Sequence, residues 1–494
     1  MARNHSSDSH VDYQWHLRGV CSRRFLCRLH PIRCIWNFPS NIFREPALTN
    51  FDLRKVAVGG LGITGRAVTE ALTARGYEVV AFDDNPDAVA AIAEQLEVEL
   101  LDSTSDEQIR EGIREATSLL PSPGMFPDHR LSLLAKEADV PSLSELDLGA
   151  SFDDRPLVAV TGTNGKTTVT ELTTRMLNEA QIKAAAVGNT EVPLVRAIDD
   201  PAKYEVFVVE ASSFSLQRTQ LFRPTAAAWL NLAPDHLDWH GSFHSYALAK
   251  SKIWANQEET DFAVAPYADE RVDPWLAGVT AQLVTFGLGA GDVHCTESEL
   301  IAHGERVIAI KDMSLARPHD KLNACAAVAL ALAMGVSPYF IAEVLSSFEG
   351  LEHRMENVSG FGPIRFFNDS KATTPHATIA ALNGFDNAVL IVGGRNKGLD
   401  LSVLLEVVPA LKGVVVIGES GSTLVDLFGQ TVPSAMAYSM KDAVEKAVRF
   451  AEPSAADVVL SPACASFDWY ANYIERGNDF KKVVHELKAE QELL

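Results

Sequence analysis

Thr161-Gly162-Thr163-Asn164-Gly165-Lys166-Thr167-Thr168 lies between an apolar run, Leu157-Val158-Ala159-Val160, and a segment with Val169, Leu172, Met176 and Leu177 at helical spacing. A strand, a glycine-bearing turn and a helix over Val169–Ile182 form a cradle for phosphate. Backbone N–H groups face the oxygens, Lys166 meets the β- and γ-phosphates, and the Thr167 hydroxyl reaches Mg2+. Val160 stands where the strict G-x4-G-K-[ST] pattern has its first glycine, so the loop is a shortened G-x2-G-K-T. A plain βα turn that merely contains glycine is the bland alternative.

Further along, the buried-strand pattern Tyr204–Val209 delivers Glu210, followed by Ala211-Ser212-Ser213-Phe214. A second apolar run, Ala226–Leu230, leads to Asn231 and then Asp235-His236-Leu237-Asp238. Ligands of an open α/β sheet bind at the carboxyl ends of its strands, which places Glu210 and His236 where Mg2+ beside the phosphates needs donors. Read singly, each has a bland alternative, a solvated glutamate and a structural histidine.

Closer to the N-terminus, Lys55-Val56-Ala57-Val58 runs into Gly60-Leu61-Gly62-Ile63-Thr64-Gly65. A helix-like stretch follows through Leu72, and then the strand Glu78–Phe82 ends at Asp83 and Asp84. This G-x-G-x-x-G between strand and helix, with an acid roughly 20 residues on, specifies a pocket for a nucleotide diphosphate. Taken alone it suggests an NAD-dependent dehydrogenase, which leaves the second phosphate loop unexplained. Ser122-Pro123-Gly124 is either a further loop at the same sheet edge or only a turn.

The elements holding these residues belong to a chain of 494 residues, 47% hydrophobic and 22% charged. Those values describe an ordinary multidomain globular protein and exclude disorder, collagen-like repeats and low-complexity scaffolds. The net charge is −22, so the surface repels phosphate backbones; no nucleic-acid partner is expected, and any nucleotide must sit in a local pocket. Six cysteines are too few for a disulfide framework. Residues 1–50 differ from the rest: seven Arg, no Lys, three acids and half of the cysteines. They lack the apolar stretch of a secretory signal. An organelle leader, a basic nucleic-acid arm and a cysteine metal site are conceivable. The preferred reading is an extension outside the fold, disordered or arising from a misplaced translation start. No apolar stretch reaches the 18 or so residues of a membrane span; Ala324–Met334 comes nearest.

TGTNGKTT, VEASSFSL, DHLD, the helix Tyr246–Lys252, EHR, NDSKAT and LSPACASFD occur in one order, and together they resemble the Mur ligases, the ATP-dependent amino-acid ligases of peptidoglycan precursor synthesis. The resemblance covers residues 53 to about 488. Within the family, SSF-x-L and SPACAS resemble the members that add D-glutamate to UDP-N-acetylmuramoyl-L-alanine. Sister ligases that add another amino acid, or glutamate to folate, share the ATPase core, but a full N-terminal UDP domain argues against the folate enzyme.

The resemblance implies an α/β protein of three domains: a Rossmann-like UDP-binding domain (51–145), a central P-loop-type ATPase domain with a mostly parallel sheet (146–350) and a C-terminal Rossmann-like domain (351–494). The sequence supports those joints, with a new strand–loop series starting near Leu351 and short apolar strands at Ala388–Val392, Val414–Ile417 and Val458–Leu460. The implied reaction proceeds through an acyl phosphate, with ATP as co-substrate and Mg2+ as cofactor, in a cytoplasmic monomer.

By the same resemblance, Asn189 faces the acyl substrate or ATP, and Glu210 and His236 hold metal. Lys250 matches a lysine that CO2 converts to a carbamate ligand, although without the family it reads as a solvated helix lysine. The catalytic set is then Lys166, Asn189, Glu210, His236 and Lys250, and the metal set is Thr167, Glu210, His236 and carbamylated Lys250. ATP is met by Gly162 through Thr168 together with Asn323, Arg354 and Asp369. The UDP substrate is met by Gly60, Leu61, Gly62, Ile63, Thr64, Asp83, Asp84, Ser122, Pro123 and Gly124. Asp84-Asn85 stands where some relatives grip uracil with Thr-Arg. D-Glutamate is met by Lys371, Thr373, Lys397, Ser466, Phe467 and Tyr473, and two lysines suit a substrate with two carboxylates.

Overall fold

A computed structural model describes residues 51–492 except positions 191 and 201. The expectations for residues 1–50 lie outside the described residues. Within them the chain forms three sheets, each built from short apolar runs that end in loops rich in Gly, Ser, Thr and Asn.

The first sheet holds β1 (Lys55–Gly59), β2 (Glu78–Phe82), β3 (Glu99–Leu100) and β4 (Ser118–Pro121), parallel throughout, in the order β3-β2-β1-β4. The central sheet holds β5 (Leu157–Thr161), β6 (Ala184–Gly188), β7 (Val206–Glu210), β8 (Ala226–Trp229), β9 (Phe262–Pro266), β10 (Gln282–Leu288), β11 (Val293–Cys295), β12 (Glu299–Ala302) and β13 (Glu305–Ala309). Its order is β13-β12-β11-β10-β9-β8-β5-β7-β6, with every pair from β11 to β6 parallel and the β11–β12 and β12–β13 pairs antiparallel. The third sheet holds β14 (Glu356–Phe361), β15 (Ile364–Asn368), β16 (Ala388–Gly393), β17 (Leu411–Ile417), β18 (Ser434–Met436) and β19 (Asp457–Leu460). They run β14-β15-β19-β16-β17-β18, with only the β14–β15 pair antiparallel.

β5 explains why an uninterrupted apolar run becomes a central strand. Val158 and Val160 join the core beneath the helices Lys166–Glu179 and Pro318–Ala333, while Leu157 and Ala159 join the core on the opposite face. Both faces are covered, so alternation disappears from the sequence. The helix Pro318–Ala333 is buried continuously from Ala324 to Leu332 and is an interior helix. Among the described residues no helix is long and apolar enough to cross a membrane.

β5 lies between β7 and β8, where the strand order reverses, and β1 likewise lies between β2 and β4. Such switch points open a crevice at the strand carboxyl ends, and the two glycine loops follow these two strands. The helix Glu145–Phe152 serves two cores at once: Leu146 packs in the central one and Leu148 in that of the first sheet. Boundaries moved by a few residues from expectation. The phosphate-loop helix begins at Lys166 and ends at Glu179, and the lysine-bearing helix runs Phe243–Ser251 before tightening into a 3-10 turn.

Candidate functional site

The shortened loop works because its last glycine enters the helix directly. Gly165 is left-handed, with φ 85°, and serves as the helix N-cap; a Cβ there would meet Asn323 Oδ1 at 2.4 Å. Asn231, just past β8, braces the loop. Its Oδ1 accepts from the N–H groups of Thr163 (3.1 Å) and Asn164 (2.9 Å), and its Nδ2 donates to the Asn164 carbonyl. Lys166 folds back over the loop, donating to the carbonyls of Gly162 (2.9 Å) and Thr163 (3.0 Å). Burial lowers its proton affinity, opposed by the carboxylates of Glu210 and Asp235.

Thr167 donates to Glu210 Oε2 at 2.5 Å, and Asn189 Nδ2 donates to Glu210 Oε1 at 2.9 Å. Arg354, from the segment before the third sheet, donates to the Thr167 hydroxyl at 2.6 Å. The structure therefore brings together Thr167, Asn189, Glu210 and Arg354, which lie as far apart as 187 positions in sequence.

His236 adopts a left-handed backbone with φ 51°, a strained geometry that tends to gather at working sites. Its backbone N–H donates to Asp235, and its ring lies edge-on against Phe214 at 4.7 Å. Burial lowers its pKa against the opposing pull of the Asp235 carboxylate 3.3 Å away, with nearby Lys397, Lys166 and Lys250 acting in the same direction as burial. Lys250 is only 1% exposed, which overturns the solvated-lysine reading. Its amine donates to the Gly162 carbonyl at 2.8 Å and lies 4.7 Å from the centre of the Tyr246 ring. Burial, reinforced by Lys166, holds it well below the usual lysine range.

Among the described residues, no three His, Cys, Asp or Glu side chains converge as a ready metal-ligand set. The donors beside the phosphate loop are the Thr167 hydroxyl, Glu210, His236 and the Lys250 amine. Burial lowers the proton affinity of both the His236 imidazole and the Lys250 amine, which favours the uncharged forms such a set requires.

The third sheet contributes loops from the ends of β15, β16 and β19. Asp369 is buried, accepts from Ser461 Oγ at 2.8 Å and is pushed up to about 6 by burial. Lys371 lies 3.9 Å from the centre of the Tyr473 ring; burial first, then Arg354 and other cations, pushes its amine down to about 8. Lys397 is close enough to act electrostatically on both Lys371 and His236. Ser466 is buried, Thr373 is half-buried and Phe467 is 61% exposed. Asn164 of the phosphate loop meets His376 at 2.8 Å, a second bridge between the central and third sheets.

In the first sheet, Asp83 accepts from the Leu61 N–H at 2.5 Å and from the Asn85 N–H at 2.7 Å, which shapes the glycine loop. Gly62 and Ile63 are exposed. Ser122 donates its N–H to the Gly59 carbonyl at 2.6 Å and its hydroxyl to the Gly60 carbonyl at 3.3 Å, so the Ser122–Gly124 turn lies against this loop. Asp84 is engaged by His129 and Arg130, each at 2.9 Å. Arg218 reaches from the central part to the Met125 carbonyl at 2.6 Å.

Asn231, Asp235, Tyr246, His376 and Arg476 are site neighbours that sequence reasoning did not single out. Asn231 and Asp235 had a signal, since they follow an apolar strand, whereas His376 and Arg476 had none.

The Mur ligase middle domain model matches residues 160–331, and that of the Mur ligase glutamate ligase domain matches 353–464. A UDP-N-acetylmuramoylalanine–D-glutamate ligase of Bacillus mycoides (strain KBAB4) is 34% identical over 449 residues, 89% of this chain and 99% of the relative. The enzyme of the same name from Bacillus cereus (strain AH187) is 34% identical over 450 residues, again 89% and 99%. Among solved structures, the UDP-N-acetylmuramate-alanine ligase MurC of Thermotoga maritima superposes with a TM-score of 0.56 at 19% identity, covering 88% of this chain and 100% of its own. A MurF ligase from the same organism, in complex with ADP, gives 0.56 at 17% identity, with 91% and 100% covered. At such identities the structures speak for the fold alone.

Proposed function

The chain belongs to the Mur ligase family, and from that premise we propose that its three sets of loops carry out one reaction, the ATP-dependent ligation of D-glutamate to UDP-N-acetylmuramoyl-L-alanine. It is an ATP-dependent amide-forming ligase of peptidoglycan precursor synthesis, which sets aside the dehydrogenase alternative. The choice of D-glutamate over another amino acid follows the relatives of Bacillus mycoides and Bacillus cereus, which are 34% identical and bear that name. The observation that carries the chemistry is the meeting of Lys166, Thr167, Glu210 and Arg354 at the carboxyl end of β5.

In the first step the L-alanyl carboxylate oxygen bonds to the γ-phosphorus, the bond to the bridging β,γ-oxygen breaks, and ADP leaves. The D-glutamate amine then attacks the acyl-phosphate carbonyl, and phosphate departs as the amide forms and the amine loses a proton. Both steps crowd anions together, so placed positive charge is the main requirement. Lys166 leaves the Gly162 and Thr163 carbonyls for the phosphates, and Arg354 approaches the same oxygens from the third sheet. Asn189 orients Glu210 and faces the acyl group. Gly162 through Thr168, with Asn323 and Asp369, enclose the nucleotide.

Thr167, Glu210, His236 and Lys250 as its carbamate would hold Mg2+, which when bound supplies charge neutralisation at the phosphates. The neutral Lys250 amine adds to CO2, forming an N–C bond and releasing one proton, which turns a buried cation precursor into an anionic ligand. Gly60–Thr64, Asp83, Asp84 and Ser122–Gly124 receive the UDP moiety. Lys371, Thr373, Lys397, Ser466, Phe467 and Tyr473 receive D-glutamate, their two ammonium groups facing two carboxylates. The protein is proposed to work as a cytoplasmic monomer, where its nucleotide substrates are found.

Phosphate release measured with UDP-N-acetylmuramoyl-L-alanine, ATP and a panel of D- and L-amino acids tests this reading. Turnover should require D-glutamate, and equal turnover with another amino acid would refute the assignment.

A further inference from the structure

Arg476 lies in the first turn of the helix Tyr473–Glu492 and is 1% exposed. Its Nε donates to Ser370 Oγ at 3.0 Å, its Nη2 to the Ser370 carbonyl at 2.8 Å and its Nη1 to the Cys464 carbonyl at 3.1 Å. Ser370 Oγ in turn donates to the Tyr473 carbonyl at 2.8 Å. One guanidinium thus joins the loop after β15, the loop after β19 and the start of the last helix.

The loop after β16 is drawn into the same assembly. Arg395 and Ala465 exchange backbone hydrogen bonds of 2.9 Å in both directions. Gly394, with φ 134°, lies so close that a Cβ would come within 2.3 Å of the Ala465 carbonyl and 3.3 Å of Arg476 Nη1. The residues proposed for the amino-acid substrate stand beside these anchors. Lys371 follows Ser370, Ser466 lies two positions past Cys464, Lys397 lies three past Gly394, and Tyr473 is one helical turn before Arg476.

All three of these acceptors are neutral oxygens. Burying a guanidinium on such partners is costly unless the charge or the fork geometry is used. A fork that reaches two loops at once sets their spacing in a way a single ammonium cannot. Its charge also lies among the loops that carry Lys371, Ser466 and Tyr473.

We infer that Arg476 is a positioning residue for the amino-acid substrate, holding the loops that carry Lys371, Ser466 and Tyr473 in one register from below the pocket. The inference rests on the D-glutamate reading of that pocket.

Steady-state phosphate release by wild type, Arg476→Lys and Ser370→Ala, with KM taken separately for D-glutamate, ATP and UDP-N-acetylmuramoyl-L-alanine, tests it, alongside thermal melts of each protein. Arg476→Lys keeps the charge and loses the fork, so KM for D-glutamate should rise about tenfold or more while the other two stay within about twofold. A parallel rise in all three constants marks a merely structural residue and overturns the inference, as does an unchanged KM for D-glutamate. If Arg476→Lys fails to melt cooperatively, Ser370→Ala decides, since it removes only the shared hydroxyl. A selective rise of about threefold supports the inference, and its absence overturns it. Wild-type enzyme without D-glutamate-dependent release overturns the parent reading and this inference with it. Wild type that requires D-glutamate, with no selective effect in the variants, overturns the role of Arg476 alone.

Discussion

With Lys371 proposed to receive a substrate carboxylate, substrate affinity is expected to depend on pH within an accessible range. Its amine is enclosed beside the Tyr473 ring, and burial together with Arg354 pushes it down to about 8. The charged form is therefore about 90% populated at pH 7 and about 10% at pH 9. A dicarboxylate that needs the ammonium form should bind about tenfold more weakly at pH 9 than at pH 7. The sign is set by the depressed pKa: affinity is full below about 8 and is lost as pH rises through it. Glutarate is the suitable probe, because it carries both carboxylates without an amine and does not itself titrate across this range. Its competitive Ki against D-glutamate should be measured at half-unit steps from pH 6.5 to 9.5. Lys371→Arg, permanently charged, should flatten the profile. A wild-type Ki constant within twofold, or the same rise in Lys371→Arg, would refute the assignment of this lysine to a substrate carboxylate.

Three further outcomes are expected. Lys166→Met should lower turnover by at least about 10²-fold while leaving the thermal melt close to wild type, because the removed amine bonds only to loop carbonyls; phosphate release checks it, and substantial residual ligation contradicts its role. Lys250→Ala should be inactive and partly restored by formate or acetate, and a fully active variant would remove the carbamate from the scheme. Burial pushes the Glu145 carboxyl up to about 7 against backbone N–H bonds from Val195 and Leu194. A raised carboxylate pKa costs stability above pH 7, and the cost fades as pH falls toward 4.5. Glu145→Gln should therefore stabilise the fold by on the order of 3 kcal/mol at pH 8 and by less than about 1 kcal/mol at pH 5; denaturant titrations at both values decide, and a difference independent of pH would contradict the argument.

What could be read from sequence was whatever is local. β2, Glu78–Phe82, has the bounds its apolar run predicts, because a buried parallel strand advertises itself by composition alone. The helix after the phosphate loop starts three residues earlier than expected, since Gly165 in a left-handed conformation turns the chain directly into the helix and Lys166 is already helical. Lys250 shows the opposite limit. Its helix is legible, but its burial depends on the Gly162 carbonyl some 88 positions away, and only the family resemblance drew attention to it. The Arg354–Thr167 and Asn164–His376 contacts are likewise tertiary, formed by groups that share no local pattern. Arg476 lies in a helical turn that reads as polar surface, and its burial follows from the loops after β15 and β19 that meet its guanidinium.

Two of the glycines have a bearing on inhibitor design. At Gly165 any side chain would collide with Asn323, and at Gly394 it would run into the Ala465 carbonyl; both backbones also lie in the left-handed region that other residues avoid. A compound that gains its affinity from the main-chain atoms of these two loops touches positions where substitution would break the cavity itself. Mutational escape would have to come from more distant residues, and a resistance screen should return few viable changes at 165 or 394.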